Sequence, residues 1–533
     1  MQAADPEPRE SRSTTWLLGG FIGLLAAVAA VALGELGAAV AVVLGAGSPS
    51  APVVAVGEWA IDLTPAWLKE VAIRQFGQND KTALLTGVYI TIAVVSAAAG
   101  VVARRHLRIA TGMAAAFSLV GLIAAITRPS SGLGGWFPAL LAGGASIIVL
   151  RWLTIRSQEP GVLRQPGEPV TPAERRRFLG TLLGTGVVSL LGGFGSKAWL
   201  DSRYNAAPAR AAVVLPKAAE PLPALPASVR PNVPGLESFF TPLTATSTTP
   251  AFYRVDTALS VPQVDPKTWM LRIHGMVDRP VEISFDELLK MPLEEHDMTL
   301  TCVSNPVAGP YCGTARWLGA PLAPLLRQAG VRSGADQILC TSTDGMTIGT
   351  PVEAVLDGRQ ALLAMAMNGE VLPIEHGFPV RMLVPGLYGY VSATKWVVDL
   401  ELTTFASTSA YWVSNGWSQQ APVKTASRID VPKSGATVNE GTVMVAGVAW
   451  ATHRGIDAVE VQVDNGPWVP AVLATSDTPD TWRMWSYAWP AAKGQHTLTV
   501  RCTDGTGTLQ TAVVQDVIPN GATGYHSIGV TVS

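Results

Sequence analysis

The sequence predicts a multidomain protein with an N-terminal α-helical membrane domain, a central α+β domain and a C-terminal all-β sandwich. Hydrophobic residues make up 48% of the 533 residues and charged residues only 15%, and the apolar excess lies in the first 200, which is typical of membrane segments. The end of the chain instead shows short β-branched runs between Gly and Asp turns, the pattern of a sandwich. We place the domains at residues 1–200, 251–420 and 421–533, with a Pro/Ala-rich linker at 201–250.

Apolar segments near the N-terminus predict about five transmembrane helices, because each approaches or exceeds the ~20 residues that cross a bilayer. Glu35 interrupts the first of them and marks a tilt, a helix end or a functional carboxylate. Residues 57–79 are mixed in character and predict an interfacial helix and loop. The predicted spans are residues 16–45, 83–102, 109–126, 136–152 and 178–194.

The distribution of basic residues predicts the orientation of these spans, because Lys and Arg favour the cytoplasmic side. If the chain crosses at every span, one side receives most of the arginines and the other only Lys69, Arg74, Lys81 and Arg128. We therefore expect a multi-pass protein of the cytoplasmic membrane, with its N-terminus inside and everything after the fifth span outside. The arginines on the predicted inner side are Arg9, Arg12, Arg104, Arg105, Arg108, Arg151, Arg156, Arg164, Arg175, Arg176 and Arg177.

The start of the fifth span resembles a twin-arginine export signal inside the chain. It reads Glu-Arg-Arg-Arg-Phe-Leu-Gly at residues 174–180 and precedes an apolar run. Such a signal exports folded proteins that acquire a cofactor in the cytoplasm. The alternative is that three arginines anchor a helix end by the positive-inside rule.

The remaining chain divides at composition changes. Seven prolines between residues 205 and 234 predict a stiff, extended linker over residues 205–249. Strand-like and helical runs then alternate to about Phe405. Strands are predicted at 443–450, 458–463, 495–502 and 528–532, with Asp464-Asn465-Gly466 as a hairpin turn.

Several function classes are disfavoured by what the sequence lacks. A formal net charge of −2 gives no indication of a nucleic-acid partner. There is no Walker loop, GxGxxG motif, CxxC pair or CxxCH haem attachment. The predicted membrane domain has a single histidine, His106, whereas a membrane b-type haem usually needs two. We expect no haem, and a membrane part that is an anchor or a contact surface for a lipid-soluble electron carrier.

Cys302 is the first candidate for chemistry, because it ends an apolar run just before a polar loop. A thiolate there could bind a soft metal or act as a nucleophile. Taken by itself, a cysteine near a strand end is more often a small buried apolar residue. Four cysteines do not make a disulfide framework, and whether Cys312 and Cys340 pair stays open.

A set of downstream motifs changes this interpretation. Together with Cys302 and in this order, they resemble the sulfite oxidase family of molybdopterin enzymes, over roughly half of the chain from Phe252 onward. They read GTARWLGAPL at 313–322, MNGEVLP at 367–373, EHGFPVR at 375–381, Pro-Gly at 385–386 and Lys-Trp at 395–396.

The resemblance implies a molybdopterin cofactor with Cys302 as the ligand of molybdenum. Cationic and hydrogen-bonding groups from several loops would hold the pterin and its phosphate. Tyr388 and Tyr390 are candidates to line a substrate pocket or to pack. His376 has the alternative of capping a backbone carbonyl, and Arg316 that of stacking with Trp317 at the surface. The implied cofactor residues are Arg254, Cys302, Asn305, Arg316, Asp344, His376, Arg381, Ser392 and Lys395, and the implied catalytic residues are Cys302, Arg254 and Tyr388.

The activity that the resemblance implies is transfer of an oxo group at molybdenum outside the membrane, with an external electron carrier such as a cytochrome or quinone. Two departures bear on this. The common Arg-Asn-His triplet reads Arg254-Val255-Asp256, and arginines expected after Asn305 read Pro306-Val307-Ala308. Loss of that positive charge weakens the case for sulfite. The alternative is reduction of S-oxides or N-oxides, including oxidised methionine in proteins.

The C-terminal block resembles the immunoglobulin-like dimerisation domain of the same family and implies a homodimer. Two other classes are weighed. A non-catalytic membrane protein that binds a partner is disfavoured because Cys302 and the basic set are present. A transporter is disfavoured because the spans show no paired charges within the membrane, where only Glu35 stands out.

Overall fold

The computed structural model describes residues 12–44, 51–65, 80–127, 135–158, 180–187, 191–193 and 205–533, with isolated positions at 68, 71, 75, 76, 176, 189, 195 and 198. The chain divides into two compact units. The first comprises Met1–Asn205 with Thr257–Ser260, and the second comprises Ala206–Asp256 with Val261–Ser533.

The first unit consists of apolar helices. They are α1 Arg12–Val43, α2 Pro52–Leu63, α3 Asp80–Ala103, α4 Leu107–Ile126 and α5 Trp136–Gln158. By length and composition, α1, α3, α4 and α5 can each cross a membrane, which confirms the first four predicted helices. The 12 residues of α2 are fewer than a bilayer requires. Of the fifth predicted span, residues 180–187, 189 and 191–193 are described and helical, and the apolar helix Gly180–Gly193 is shorter than the four helices above. The arginine segment at 174–180 lies largely outside the described residues.

Small residues bring α1 and α3 into backbone contact. A Cβ atom added to Gly23 would lie 1.8 Å from the carbonyl oxygen of Ser96. Such close approach is typical of membrane helices, which gain stability from packing because lipid offers no hydrophobic driving force between them.

The central domain contains two five-stranded sheets. One has the order β2-β1-β10-β5-β6, in which β1 and β10 are parallel. The other has the order β3-β4-β7-β8, with β9 added to β7. The bounds are β1 Met270–Gly275, β2 Val281–Ser284, β3 Glu294–Thr301, β4 Cys312–Pro321, β5 Gln337–Ser342, β6 Thr347–Pro351, β7 Leu362–Met367, β8 Glu370–Val371, β9 Arg381–Leu383 and β10 Val397–Thr403.

Short helices join these strands and confirm the predicted α+β class. Ser284 caps one of them reciprocally with Glu287, which satisfies two free backbone donors. Another buries its apolar face and ends at Gly330, whose φ of 71° suits glycine. The helices of the second unit are α6 Ala207–Ala211, α7 Phe285–Leu288, α8 Leu322–Ala329, α9 Val352–Leu356 and α10 Tyr411–Ser414.

The C-terminal domain is all β, as predicted, with sheet orders β11-β13-β17-β16 and β12-β19-β18-β14-β15. Apolar side chains from both sheets, including Trp485 and Val461, form one buried cluster. Asp464 and Asn465 have φ of 50° and 60° in the β14–β15 turn, as a tight hairpin requires. The bounds are β11 Ala426–Val431, β12 Thr437–Val438, β13 Gly441–Trp450, β14 Ile456–Val463, β15 Trp468–Pro470, β16 Val472–Leu473, β17 Arg483–Ala491, β18 Gly494–Asp504 and β19 His526–Val532.

The proline-rich segment, predicted as a stiff, extended linker, packs against the rest of the second unit. Its backbone is mostly irregular, but Val229, Val233, Leu236 and Phe239 are buried in the core of the second unit. Prolines fix an extended path, and the apolar residues between them supply enough buried surface to hold that path against the domain. The same core includes Trp450 and Trp482 from the C-terminal domain, so the central and C-terminal domains share one hydrophobic core.

Candidate functional site

Cys302 lies immediately after β3, at the start of the loop that returns to β4. The strands pair up to Thr301 opposite Cys312, and the Cys302 amide donates to the Tyr311 carbonyl at 2.9 Å. Cys302 is partly exposed, whereas the other three cysteines are buried, and none of the four, all in the described part of the chain, forms a disulfide. The structure therefore leaves Cys302 as the most exposed of the four cysteines and shows that Cys312 and Cys340 do not pair.

The loop from Cys302 to Tyr311 is closed by Asn305. Its Oδ1 accepts from the Tyr311 amide at 2.8 Å, and its own amide donates to the Cys302 carbonyl at 3.1 Å. A Cβ on Gly309 would lie 2.4 Å from Asn305 Oδ1, so only glycine fits there. Asn305, expected as a cofactor contact, has a loop-closing role in the contacts that the structure shows.

The surroundings of Cys302 keep its thiol protonated. Burial raises the pKa of Cys302, while hydrogen bonds from Ser304 and the nearby charge of Lys395 act in the opposite direction. A soft metal would remove this proton on binding, because the thiolate is the ligand.

A cluster of basic residues, here called the cationic cluster, lies near Cys302. Asp256 forms ion pairs with two of its members, Lys395 and Arg254. Lys395 Nζ donates to Asp256 Oδ2 at 2.5 Å and to the Glu375 carbonyl at 3.1 Å. Arg254 Nε donates to the same Asp256 oxygen at 2.9 Å. The side chain of Lys395 is only 8% exposed, so its charge is held away from bulk water.

Arg381 and His376 complete the cationic cluster. Arg381 Nη1 donates to the His376 carbonyl at 3.4 Å, and its guanidinium lies 5.6 Å from the centre of the buried Trp317 ring. Arg381 Nε and His376 Nδ1 are buried and find no hydrogen-bond partner among the described residues. Gly377, at a φ of 116°, lies between Arg381 and Lys395, because a Cβ there would be 3.1 to 3.2 Å from both side chains.

The cationic cluster carries more positive charge than its surroundings neutralise. Burial, then Arg381, Lys395 and Arg254, lower the pKa of His376 to about 3. Burial lowers the pKa of Arg381 to about 10. It also lowers the pKa of Lys395 to about 7, with Asp256 opposing and Arg381 assisting the change. Buried cations and unpaired buried donors are costly unless a counter-charge arrives, so the cluster is suited to bind a polyanion such as a phosphate ester.

This arrangement predicts anion binding that depends on pH. Added inorganic phosphate should raise the Tm of the cofactor-free chain more at pH 6 than at pH 9, because Lys395 loses its proton near pH 7. At a phosphate concentration about tenfold above Kd, linkage gives ~1.4 kcal/mol of added stability. Thermal unfolding at both pH values measures the effect, and an equal shift at both would contradict it.

Without phosphate, the titration of Lys395 makes the free energy of unfolding rise with pH, whereas the stabilisation by phosphate falls with pH. The folded pKa of about 7 lies below the ordinary value of 10.5, so between these pH values the unfolded chain binds more protons. The contribution of Lys395 therefore raises the free energy of unfolding as pH rises through that window.

Arg316 is not in contact with the cationic cluster in the described structure. Its guanidinium forms two hydrogen bonds with Asp297, at 2.8 and 2.7 Å, and donates to the carbonyls of Leu222 and Pro223. Asp297 is fully buried and needs this cation. The alternative of a surface pair with Trp317 does not match the structure, since Trp317 is buried and lies against Arg381. The cofactor role of Arg316 stays a prediction.

Ser392 and Asp344 are likewise committed to local structure. Ser392 is fully buried, and its hydroxyl donates to the carbonyls of Leu387 and Tyr388 at 3.1 and 3.0 Å, so it has no proton left for a phosphate. Asp344 accepts from Ser342 Oγ and from the Met346 amide and shapes the β5–β6 turn. Their assignments as cofactor contacts stay predictions.

The two tyrosines expected near a substrate pocket mainly pack. Tyr388 is 4% exposed, and its hydroxyl accepts from the Lys424 amide at 3.4 Å. Tyr390 donates to the Ser418 carbonyl at 2.7 Å. Burial raises the pKa of Tyr388, so its hydroxyl stays protonated; its assignment as a catalytic residue stays a prediction, beside the packing that the structure shows.

Tyr253 is not among the predicted site residues, although it belongs to Phe252-Tyr253-Arg254, a segment that resembles the motif with which the family contacts the pterin. It stacks on Phe252 with ring centres 5.2 Å apart and meets Tyr311 edge-on at 6.2 Å. Burial raises the pKa of Tyr253, with Cys302 adding to the effect and Arg381 opposing it, so both groups are close enough to act on it. Its position next to Arg254 in the sequence was the available signal.

Comparison with known proteins identifies both globular domains. Residues 258–412 match the oxidoreductase molybdopterin binding domain, and residues 426–500 match a bacterial Ig domain. The chain is 30% identical over 315 residues to mitochondrial sulfite oxidase of Rattus norvegicus, covering 50% of this chain and 56% of that protein. It therefore spans only about half the length of such relatives.

A shorter bacterial relative is covered more fully. The chain is 32% identical over 157 residues to the uncharacterized oxidoreductase YuiH of Bacillus subtilis, covering 29% of this chain and 74% of YuiH. Among solved structures, the sulfane dehydrogenase SoxCD from Paracoccus pantotrophus matches with a TM-score of 0.48 and 21% identity, covering 60% of this chain and 88% of that chain.

Proposed function

The chain belongs to the sulfite oxidase family of molybdopterin-dependent oxidoreductases, and on that premise we propose that Cys302 is the thiolate ligand of molybdenum and that the cationic cluster binds the pterin phosphate. The supporting observation is a cluster beside Cys302 in which Asp256 pairs with both Arg254 and Lys395, while the Nε of the buried Arg381 has no hydrogen-bond partner among the described residues. An anionic cofactor with a soft metal supplies what the cluster and the thiol lack.

Each residue has a definite task in this proposal. Arg381 and Lys395 bind phosphate oxygens, Arg381 through the unpaired Nε and Lys395 through a mobile point charge. His376 stays neutral, since its pKa is about 3, and offers its unpaired Nδ1 to the pterin. Asp256 orients Arg254 and Lys395, and Ser304 stabilises the thiolate of Cys302.

When bound, the molybdenum cofactor supplies the two-electron exchange that accompanies oxygen-atom transfer. The chain contributes orientation and electrostatics. Tyr253 and Tyr311 form an aromatic wall beside Cys302, and they limit access of water to the thiol side of the site.

The charges that remain near Cys302 favour a weakly charged substrate. Arg316 is taken by Asp297, and the loop after Asn305 provides Pro306, Val307 and Ala308 where a dianion would need cations. Within sulfite-oxidase-like chemistry, this observation favours the second candidate, reduction of S-oxides or N-oxides, over oxidation of sulfite.

The two candidates separate in a direct comparison of rates. Sulfite would be offered with ferricyanide or a cytochrome as acceptor, and a panel of sulfoxides and N-oxides with a reduced dye as donor. The proposal expects a higher kcat/KM for an S-oxide or N-oxide. Efficient sulfite turnover with inert oxides would instead restore the sulfite assignment, and no turnover of either class would refute both.

We also propose that this activity faces outward from the cytoplasmic membrane. The supporting observations are the four helices that are long and apolar enough to span it and the arginine bias of the connecting segments. Protease protection of the second unit in right-side-out and inverted vesicles tests the orientation. Protection in right-side-out vesicles would contradict it.

The first unit provides a place for a lipid-soluble electron carrier. Residues of α1 to α5 line a mostly apolar cavity of about 710 Å³, with Glu35, Thr91 and Ser146 on its walls. A carboxylate within a membrane helix is costly and generally functional. A quinol that binds there and is oxidised to its quinone releases two electrons and two protons, which is what reduction of an S-oxide to a sulfide and water consumes.

Glu35→Gln should therefore raise KM for a short-chain quinol by about 10-fold or more, the cost of losing one hydrogen bond to a charged group. Turnover with a reduced dye that bypasses the membrane should not change. Both rates are measured on the full-length protein in detergent. Wild-type quinol kinetics in the variant would contradict the role of Glu35, and absence of quinol-linked turnover in the wild type would contradict the cavity as a quinol site.

A further inference from the structure

The C-terminal domain contacts the loop that carries Cys302 through one buried arginine. Arg428 lies in β11, and its side chain is 7% exposed. Its Nη1 donates to the carbonyl of Gly309 at 3.1 Å, within the loop that runs from Cys302 to Tyr311.

The other donors of Arg428 are fixed by carboxylates from two different segments. Nε donates to Asp430 Oδ1 at 2.6 Å, and Nη2 to Glu237 Oε2 at 3.1 Å. Burial opposes the charge, but Asp430 and Glu237 outweigh it and raise the pKa of Arg428. The guanidinium is therefore permanently charged, and its fork is locked in the orientation that aims Nη1 at Gly309.

The conformation of the loop from Cys302 to Tyr311 depends on a contact of this kind from outside the loop. Ala308 has a φ of 63°, a left-handed conformation that is unfavourable for a residue with a Cβ. The next residue, Gly309, is packed against Asn305, which closes the loop onto Cys302. A displacement of the Gly309 carbonyl is therefore passed to the Cys302 backbone through Asn305.

We infer that Arg428 is a positioning residue for Cys302, so that the C-terminal domain completes the metal site of its own chain as well as offering a surface for pairing. The inference deepens the proposed function, on which the role of Cys302 as a metal ligand rests. Arg428 touches neither the cationic cluster nor the thiol in the contacts described. It acts through the Gly309 carbonyl alone.

Arg428→Lys tests the positioning role. Lysine keeps the charge, but its single ammonium cannot donate to Asp430, Glu237 and Gly309 in the fixed geometry of a guanidinium. The matched control is Arg454→Lys. Arg454 also pairs with a buried carboxylate of the C-terminal domain, Asp504 at 2.9 Å, and its other donor contacts are to Val423 and Thr425, outside the Cys302 loop.

The first readout is the alkylation rate of Cys302 in the full-length, molybdenum-free chain, since the other three cysteines are buried. Arg428→Lys should raise this rate about tenfold, the shift expected when a loop loses one charge-assisted hydrogen bond, and Arg454→Lys should not. Asp430→Asn keeps an acceptor for Nε and should give a smaller increase, which provides a second variant if the first folds poorly.

The second readout is the sulfur-to-metal charge-transfer absorption of the loaded protein, which reports thiolate geometry. Arg428→Lys should shift this band, whereas Arg454→Lys should leave it unchanged. Wild-type alkylation rates in both Arg428→Lys and Asp430→Asn, or an equal increase in Arg454→Lys, would overturn the inference. A chain that never binds molybdenum would refute the proposed function but leave the alkylation comparison valid.

Discussion

Replacing Cys302 with serine is expected to reduce turnover to below about 1% of wild type, because changes in residues that merely support a metal ligand already cost 10- to 100-fold. A serine hydroxyl is a harder and far less acidic donor than the thiol, so it cannot replace a soft thiolate. The measurement is dye-linked turnover per chain, with folding monitored by the Tm of the second unit.

Cys312→Ser is the matched control for that substitution. Cys312 lies ten residues further on, is buried, and has a pKa raised by burial to about 12. It should keep its turnover and at most lose stability, because a hydroxyl replaces a buried thiol that behaves as an apolar group. Equal loss of turnover in both variants would mean that the Cys302 effect is structural.

Lys395→Met is expected to lower the cofactor content of the purified protein by about 10- to 100-fold, the usual cost of removing a supporting contact at a metal or cofactor site. The change removes the Nζ that bridges Asp256 and the Glu375 carbonyl and leaves Asp256 with Arg254 as its described cation. Pterin fluorescence and molybdenum per chain measure the content.

Lys424→Met provides the control for charge and side-chain length. Lys424 donates to Asn520 and Gly521, away from the cationic cluster, so its replacement should leave the cofactor content unchanged. The phosphate-induced rise in Tm should also disappear in Lys395→Met and persist in Lys424→Met. Full cofactor content in the Lys395→Met protein would contradict the assignment of the cationic cluster as the phosphate site.

Local patterns in the sequence predicted much of the fold. Apolar length identified α1, α3, α4 and α5, and alternation with the Asp464-Asn465-Gly466 turn identified β14 and its neighbours. The buried path of residues 229–239 was not predicted, because prolines indicate stiffness and do not indicate whether the apolar residues between them find a surface.

The sequence predicted which residues belong to the site better than it predicted their contacts. Motif order brought Cys302, Arg254, His376, Arg381 and Lys395 together, and the structure places these residues in one region. The partner of Arg316 could not be predicted because the strand register was unknown. In the β3–β4 pairing Arg316 lies directly opposite Asp297, and oppositely charged cross-strand neighbours pair.

Register and tertiary contact also explain the residues that motif order could not place. Arg428 contacts a carbonyl 119 residues away along the chain, and no local pattern reports such a contact. Ser392 lies three residues before Lys395 in the sequence, but its hydroxyl donates to the carbonyls of Leu387 and Tyr388 in the preceding turn. Closeness in sequence to a binding residue therefore did not imply a shared ligand.

Metal and pterin analysis of the purified full-length chain tests the central claim most directly. The protein would be produced in a host that makes the molybdenum cofactor, beside Cys302→Ser and Cys312→Ser from the same host. We expect about one molybdenum per chain in the wild type and in Cys312→Ser, and a large loss of metal or of its thiolate absorption in Cys302→Ser. A wild-type chain that is folded and free of molybdenum would contradict the assignment of Cys302 as its ligand.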